Sequence, residues 1–113
     1  MTTQIWHNPR CSKSRQTLQL LQEKGIEAEV FEYLKNPPST EQLQTVLAQL
    51  GIEAAALLRA KEEEAKAQNL AAASNEAIIE AMTQHPKLIE RPIVIHNDKA
   101  ALGRPPENVL ALF

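Results

Sequence analysis

The chain contains one cysteine, Cys11. A single thiol rules out any intramolecular disulfide. A structural zinc site is also not expected, because Cys11, His7, His85 and His96 lack the paired spacing such sites require. No stretch is long and apolar enough to span a bilayer. The start, Met1-Thr2-Thr3-Gln4, lacks the basic and apolar regions of a secretory signal, so the expected location is the cytoplasm, where thiols stay reduced. Internal repeats, low-complexity tails and flexible linkers are missing too. An excess of either charge is missing: 12 Lys and Arg against 14 Asp and Glu leave a net charge of −2, which gives no general attraction to nucleic acid or to an anionic membrane.

What remains is a chain of 113 residues, 43% of them apolar. That suffices for one domain over residues 1–113 with a real but small core. Gln4-Ile5-Trp6 reads as a buried first strand closed by Asn8-Pro9. From Cys11 to Lys24, Cys11, Ser14, Leu18 and Leu21 recur at helical spacing, and Gly25 stands where a helix end favours a left-handed residue. Ala28 to Leu34 reads as a second strand. Asn36-Pro37-Pro38 breaks the chain. Ser39 and Gln42 then form a capping-box pattern ahead of Leu43, Val46, Leu47 and Leu50, with Gly51 as terminator.

Residues 54–84 are rich in Ala, Glu, Lys and Leu and are expected to be mostly helical, with a break near Asn69 and a restart at Ser74. Glu62-Glu63-Glu64, flanked by Lys61 and Lys66, reads as a solvated face. His85-Pro86 stops this block. Pro92 to Ile95 is a β-branched run, Asn97-Asp98 a turn, and Ala100 to Gly103 the returning arm of a hairpin. Pro105-Pro106-Glu107 suits the start of a last helix carrying Val109, Leu110 and Phe113. The order is a βαβ unit, helices, then a ββα unit. It predicts an α/β fold: a thioredoxin-like mixed sheet with a helical insertion at about residues 39–90 between its halves.

The segment His7-Asn8-Pro9-Arg10-Cys11-Ser12-Lys13-Ser14-Arg15 carries the chemistry. It places Cys11 in the turn between the first strand and the first helix, where free backbone N–H groups and the helix dipole favour an anion. Arg10, Lys13 and Arg15 add positive potential, although Arg10 and Arg15 also fit plain surface residues. Cys11 is therefore expected to be a substantially ionised nucleophile. The same helix start can bind an oxyanion. Ser14 occupies the second position of a Cys-x-x-Ser motif. Its hydroxyl can hydrogen-bond the thiolate but cannot resolve a mixed disulfide, so a second thiol must come from outside. An equally open reading makes it a plain polar residue of the first turn. His7 either lowers the thiol pKa as a cation or accepts its proton as a neutral base.

Five pieces in order make the chain similar to the glutaredoxin-dependent arsenate reductases over nearly its whole length. They are His7-Asn8-Pro9-x-Cys11-x-x-Ser14-Arg15, Tyr33-Leu34-x-x-Pro37-Pro38-Ser39, Leu57-Leu58-Arg59, the run from His85-Pro86 to Arg91-Pro92-Ile93-Val94, and Arg104-Pro105. The resemblance implies that Cys11 attacks arsenate to form a covalent adduct. Glutathione, as co-substrate, attacks that adduct, and glutaredoxin completes reduction to arsenite. It implies Arg59, Arg91 and Arg104 as oxyanion ligands, His7 beside the thiolate, and a cis Arg91-Pro92 peptide. Bidentate, permanently charged guanidinium groups suit such a tetrahedral anion. No bound cofactor or metal is expected, and a monomer is.

Arg10, Ser12 and Lys13 depart from the small neutral residues of the best-known resistance enzymes and resemble a housekeeping branch. Two other functions fit the same fold: an RNA polymerase-binding regulator, though those usually carry Cys-x-x-Cys, and a glutathione-dependent thiol enzyme acting on another oxidised substrate.

Overall fold

The computed structural model describes residues 3–113; Met1 and Thr2, part of the segment read for a secretory signal, lie outside the described residues. The chain divides into two compact units, one formed by residues up to Asn36 together with Arg91–Phe113, the other by Pro37–Glu90.

The first unit is built on a four-stranded mixed sheet in the order β2-β1-β3-β4. β1 (Thr3–Trp6) runs parallel to β2 (Glu29–Phe31) through α1 (Ser12–Glu23), and antiparallel to β3 (Ile93–His96), which forms a hairpin with β4 (Lys99–Leu102). This is the thioredoxin-like arrangement that the element order implies. Ile5 lies opposite Val94 across β1 and β3. Both are fully buried with Leu21 of α1 and Val109, and Leu18, Ile26 and Ala101 pack around them. Because strand residues alternate faces, Trp6 and Ile93 bury the other side, where Trp6 meets Phe31 edge-on at 5.3 Å between ring centroids.

The hairpin turns at Asn97 and Asp98, which both take left-handed backbone (φ 49° and 65°), the geometry that matches strand twist in a tight turn. β2 is shorter than the expected run to Leu34. Tyr33 already bonds back to Phe31 O at 3.1 Å, so its fully buried ring is placed by a turn rather than by the sheet. The final segment Pro106–Leu112 winds as a 3₁₀ helix.

The second unit opens with α2 (Thr40–Leu50), whose start carries the full capping box: Ser39 accepts from Gln42 N while the Gln42 side chain accepts from Ser39 N. Gly51 closes it in left-handed backbone at φ 70°. The mostly helical block expected over residues 54–84 restarts at Ser74 as expected but is broken more often than composition suggests. α3 (Ala54–Leu57) and α4 (Glu63–Ala67) are single turns, a 3₁₀ turn covers Leu70–Ala72, and α5 (Asn75–Gln84) starts at Ser74. The additional break has a tertiary cause. Leu58 leaves the helix to form an antiparallel bridge with Ile89, and Arg59 N bonds Leu88 O at 2.8 Å. Leu57, Leu88 and Ile89 are fully buried there.

The acidic run is not simply a solvated face: Glu62 pairs with Arg59 at 2.7 Å and Glu64 with His85 at 3.2 Å. No helix among the described residues is long and apolar enough to cross a membrane.

Candidate active site

The turn between β1 and α1 is fixed by its own polar groups. His7 N donates to Phe31 O at 2.9 Å, which anchors the turn to the sheet. Asn8 then does most of the shaping. Its carbonyl accepts from Cys11 N at 2.9 Å, its side-chain oxygen accepts from Arg10 N at 3.0 Å, and its own N–H donates to Ser14 Oγ at 3.0 Å. Arg15 closes the loop from outside, donating to Pro9 O at 2.8 Å. Neither Asn8 nor Arg15 received a specific role from the sequence. The available signal for Asn8 was its place before a proline, where a short polar side chain can bond the backbone ahead of it.

Cys11 is the N-cap residue of α1, extended at φ −92° and ψ 123°, and its side chain makes no capping bond of ordinary hydrogen-bond geometry. The N–H groups of Ser14 and Lys13 nonetheless favour sulfur as an anion. Burial, the largest single influence, pushes the thiol pKa up. The Ser14 N–H, the Arg91 charge and hydrogen bond, and the Lys13 N–H together outweigh it, leaving Cys11 below its ordinary range. Cys11 is buried, at 7% exposure, so a negative charge on its sulfur would be balanced by these partners more than by water.

Ser14 reaches this site through its backbone. Its hydroxyl, which could have bonded the thiolate, is fully buried and engaged by His7 Nδ1 at 2.6 Å and Asn8 N. His7 is buried as well. Burial holds its pKa below the ordinary imidazole range, Glu32 pulls it up, and Arg15 pushes it further down. The shift disfavours the cationic form of the ring. Ser14 is its bonded neighbour.

Two of the three proposed arginines converge on sulfur. Arg104 points Nη2 at Cys11 Sγ at 3.9 Å and donates Nε to Arg91 O at 2.8 Å. Arg91 acts on the same sulfur by charge and hydrogen bond. Both precede prolines in cis peptides, Arg91-Pro92 and Arg104-Pro105; only the first was expected.

Their approach depends on Gly103. A Cβ there would stand 2.5 Å from Thr17 Oγ1 and 2.7 Å from Pro92 Cγ. Only a hydrogen lets the end of β4 pass between α1 and Pro92 and deliver Arg104. Arg59 lies in the second unit, where its Nη1 binds Glu62 at 2.7 Å and Lys87 O at 3.3 Å. His96 bonds Thr3 and His85 pairs with Glu64. No group of three His, Cys, Asp or Glu among the described residues could hold a metal ion.

The arrangement presents a buried, anion-stabilised sulfur with guanidinium donors beside it, suited to attacking the central atom of an oxyanion while its oxygens are held.

Comparison with known proteins places this geometry in context. Residues 6–112 match the model of the ArsC family. A protein of Escherichia coli K12 named YfgD, without an assigned activity, is 53% identical over 96% of this chain and 93% of its own length. An arsenate reductase of Neisseria meningitidis serogroup A is 46% identical over 96% of both chains. The solved structure of an arsenate reductase from Vibrio cholerae superposes with a TM-score of 0.96 at 50% identity, covering 100% of this chain and 98% of the other.

Proposed function

Because the chain belongs to the ArsC family, we propose that it is an arsenate reductase whose Cys11 thiolate attacks the arsenic atom of arsenate. A sulfur–arsenic bond forms, and one arsenic oxygen leaves as water after protonation. Arg91 and Arg104 hold the remaining oxygens and the charge that develops on them. Arg59 is proposed as a further oxyanion ligand on the resemblance alone. His7, bonded to Ser14 and disfavoured as a cation, is available to take the thiol proton.

With one cysteine, the chain cannot supply the second sulfur. Glutathione attacks the adduct and a glutaredoxin thiol completes the two-electron step. In sum, arsenate and two thiols become arsenite, water and a disulfide joining the two thiols, with arsenic reduced and sulfur oxidised. The enzyme acts as a monomer in the cytoplasm and needs no resident cofactor.

The observation that carries this reading is the convergence of Arg91, Arg104 and the Ser14 and Lys13 N–H groups on Cys11 Sγ. Arsenate-dependent NADPH consumption, coupled through glutathione, glutaredoxin and glutathione reductase, tests it. Turnover by the wild type that vanishes in Cys11→Ser supports the assignment. No turnover from folded protein with an ionised thiol would remove arsenate as the substrate.

A further inference from the structure

β2 is an outer strand of the four-stranded sheet. Phe31 O accepts from His7 N on the β1 side. Alternate residues of a strand direct their backbone groups to opposite edges. The N–H and C=O of Val30, one residue before Phe31, therefore face outward, where the sheet has no further strand. The Val30 side chain is 45% exposed. It shares a face with Ile5, its partner in β1, and so lies on the α1 side of the sheet. There, with Leu18, Ile26, Glu27 and Ala28, it lines a groove of about 560 Å³.

The surroundings of this edge are acidic. Glu29 takes the opposite face of β2 by alternation, and Glu27 stands in the groove. Both are exposed, and neither side chain has a hydrogen bond or ion pair among the described residues. From residue 16 to residue 34 the chain holds four acids and one cation, Lys24. Lys35, the next cation, is taken by Glu32 at 3.6 Å.

We propose that the outer edge of β2 receives an extended, basic segment of a partner protein, which pairs with Val30 as an added strand. Its apolar side chains enter the groove beside α1, and its Lys or Arg side chains lie near Glu27 and Glu29. Each feature of the occupant has its own cause. Outward backbone groups accept a strand, the groove and exposed Val30 accept apolar side chains on one face, and the unpaired acids select a basic partner. A second copy of this chain is disfavoured, because joining two β2 edges brings acid to acid. Charge by itself can deter pairing at an edge strand, but that task does not require an apolar groove alongside.

Fluorescence anisotropy with a labelled peptide, acetyl-Lys-Val-Lys-Val-Lys-Val-Lys-amide, tests this without reference to the chemistry at Cys11. Binding should saturate below about 1 mM. It should weaken about 10-fold or more in Glu27→Lys/Glu29→Lys, whose altered side chains are exposed, and the same variant should gain affinity for the counterpart peptide with Glu in place of Lys. Replacing each Val of the probe by Ser, or methylating every second backbone nitrogen in either register, should each cost about 10-fold or more. Amide shifts induced by the probe should centre on residues 26–31. No saturation by about 1 mM would overturn the proposal. So would equal binding of the Ser or both methylated peptides, which would show charge attraction without strand pairing, or shifts centred away from β2.

Discussion

The helices that open the two units begin in opposite ways. α2 starts with reciprocal Ser39–Gln42 capping bonds and an acidic Glu41 in its first turn, each matched to the free N–H groups and the positive end of the dipole. α1 starts with Cys11, which makes no ordinary capping bond, and with cations in place of acids. The first start is arranged to stabilise a helix. The second leaves N–H groups and positive potential directed at a sulfur. The comparison teaches that a weakly capped helix N-terminus beside a buried thiol marks where local stability has been given up for chemistry.

The arginines repeat the contrast. Arg59 is engaged by a carboxylate of its own unit, whereas Arg104 directs Nη2 at Cys11 Sγ.

Substitution at the two helix starts should break or sharpen that contrast. Cys11→Ser is expected to cut arsenate turnover by about 10³-fold or more. By supplying a strong N-cap it should also raise stability by about 0.5–1 kcal/mol in urea unfolding; unchanged or lower stability would undo the trade-off reading. Arg104→Leu should lower kcat/KM for arsenate by about 10²–10³-fold, the size seen when an oxyanion donor is lost.

Ser14→Ala keeps the N–H that serves the thiolate but strands His7 Nδ1 and Asn8 N. It should cost about 1–3 kcal/mol in stability while the thiol continues to titrate below its ordinary range. A thiol returned to the ordinary range would show instead that the hydroxyl acts on sulfur directly. Ser39→Ala, at the other helix start, should cost about 1 kcal/mol and leave turnover untouched.

The pH dependence follows from the same groups. The folded pKa of Cys11 lies below its unfolded value, so the stabilisation it contributes is complete above the unfolded value and lost as pH falls through the folded one. Thiolate absorbance should therefore persist at pH values where a free cysteine is protonated, and Arg91→Leu should move its titration upward. His7 is likewise depressed. Protonating it is harder in the folded protein, so stability should fall as pH drops below the ordinary imidazole value. His7→Gln should flatten that acid limb in a denaturation series.

Much of the architecture was legible because local signals agreed with one another. The Ser39–Gln42 pattern, the Asn97-Asp98 turn, Ser74 as an N-cap and the β-branched run Ile93-Val94-Ile95 each have a short-range cause, and each appears where the chain pattern puts it. The misreadings share a different cause. Residues 54–84 carry strong helical composition, yet Leu58 pairs with Ile89 across 31 positions (89 − 58), and burial at that bridge overrides propensity. Glu32 to Leu34, read as the end of the second strand, turns away from the sheet instead. The partners of Glu62 and Glu64, Arg59 and His85, were hidden because such contacts depend on backbone turns that charge patterning does not reveal.

At the site, sequence alone narrowed the candidate nucleophile: one cysteine before a helix and among cations leaves Cys11 as the only thiol and excludes a second one within the chain. Tertiary structure decided how that sulfur is held. Arg91 and Arg104 reach it from segments 80 and 93 positions away (91 − 11 and 104 − 11). They do so because antiparallel pairing returns β3 beside β1, and because Gly103 leaves room for the end of β4 against Thr17 and Pro92. It also gave Ser14 two separate tasks, its N–H to sulfur and its hydroxyl to His7. A residue type can specify which groups are available, but only the packed backbone fixes which way each one points.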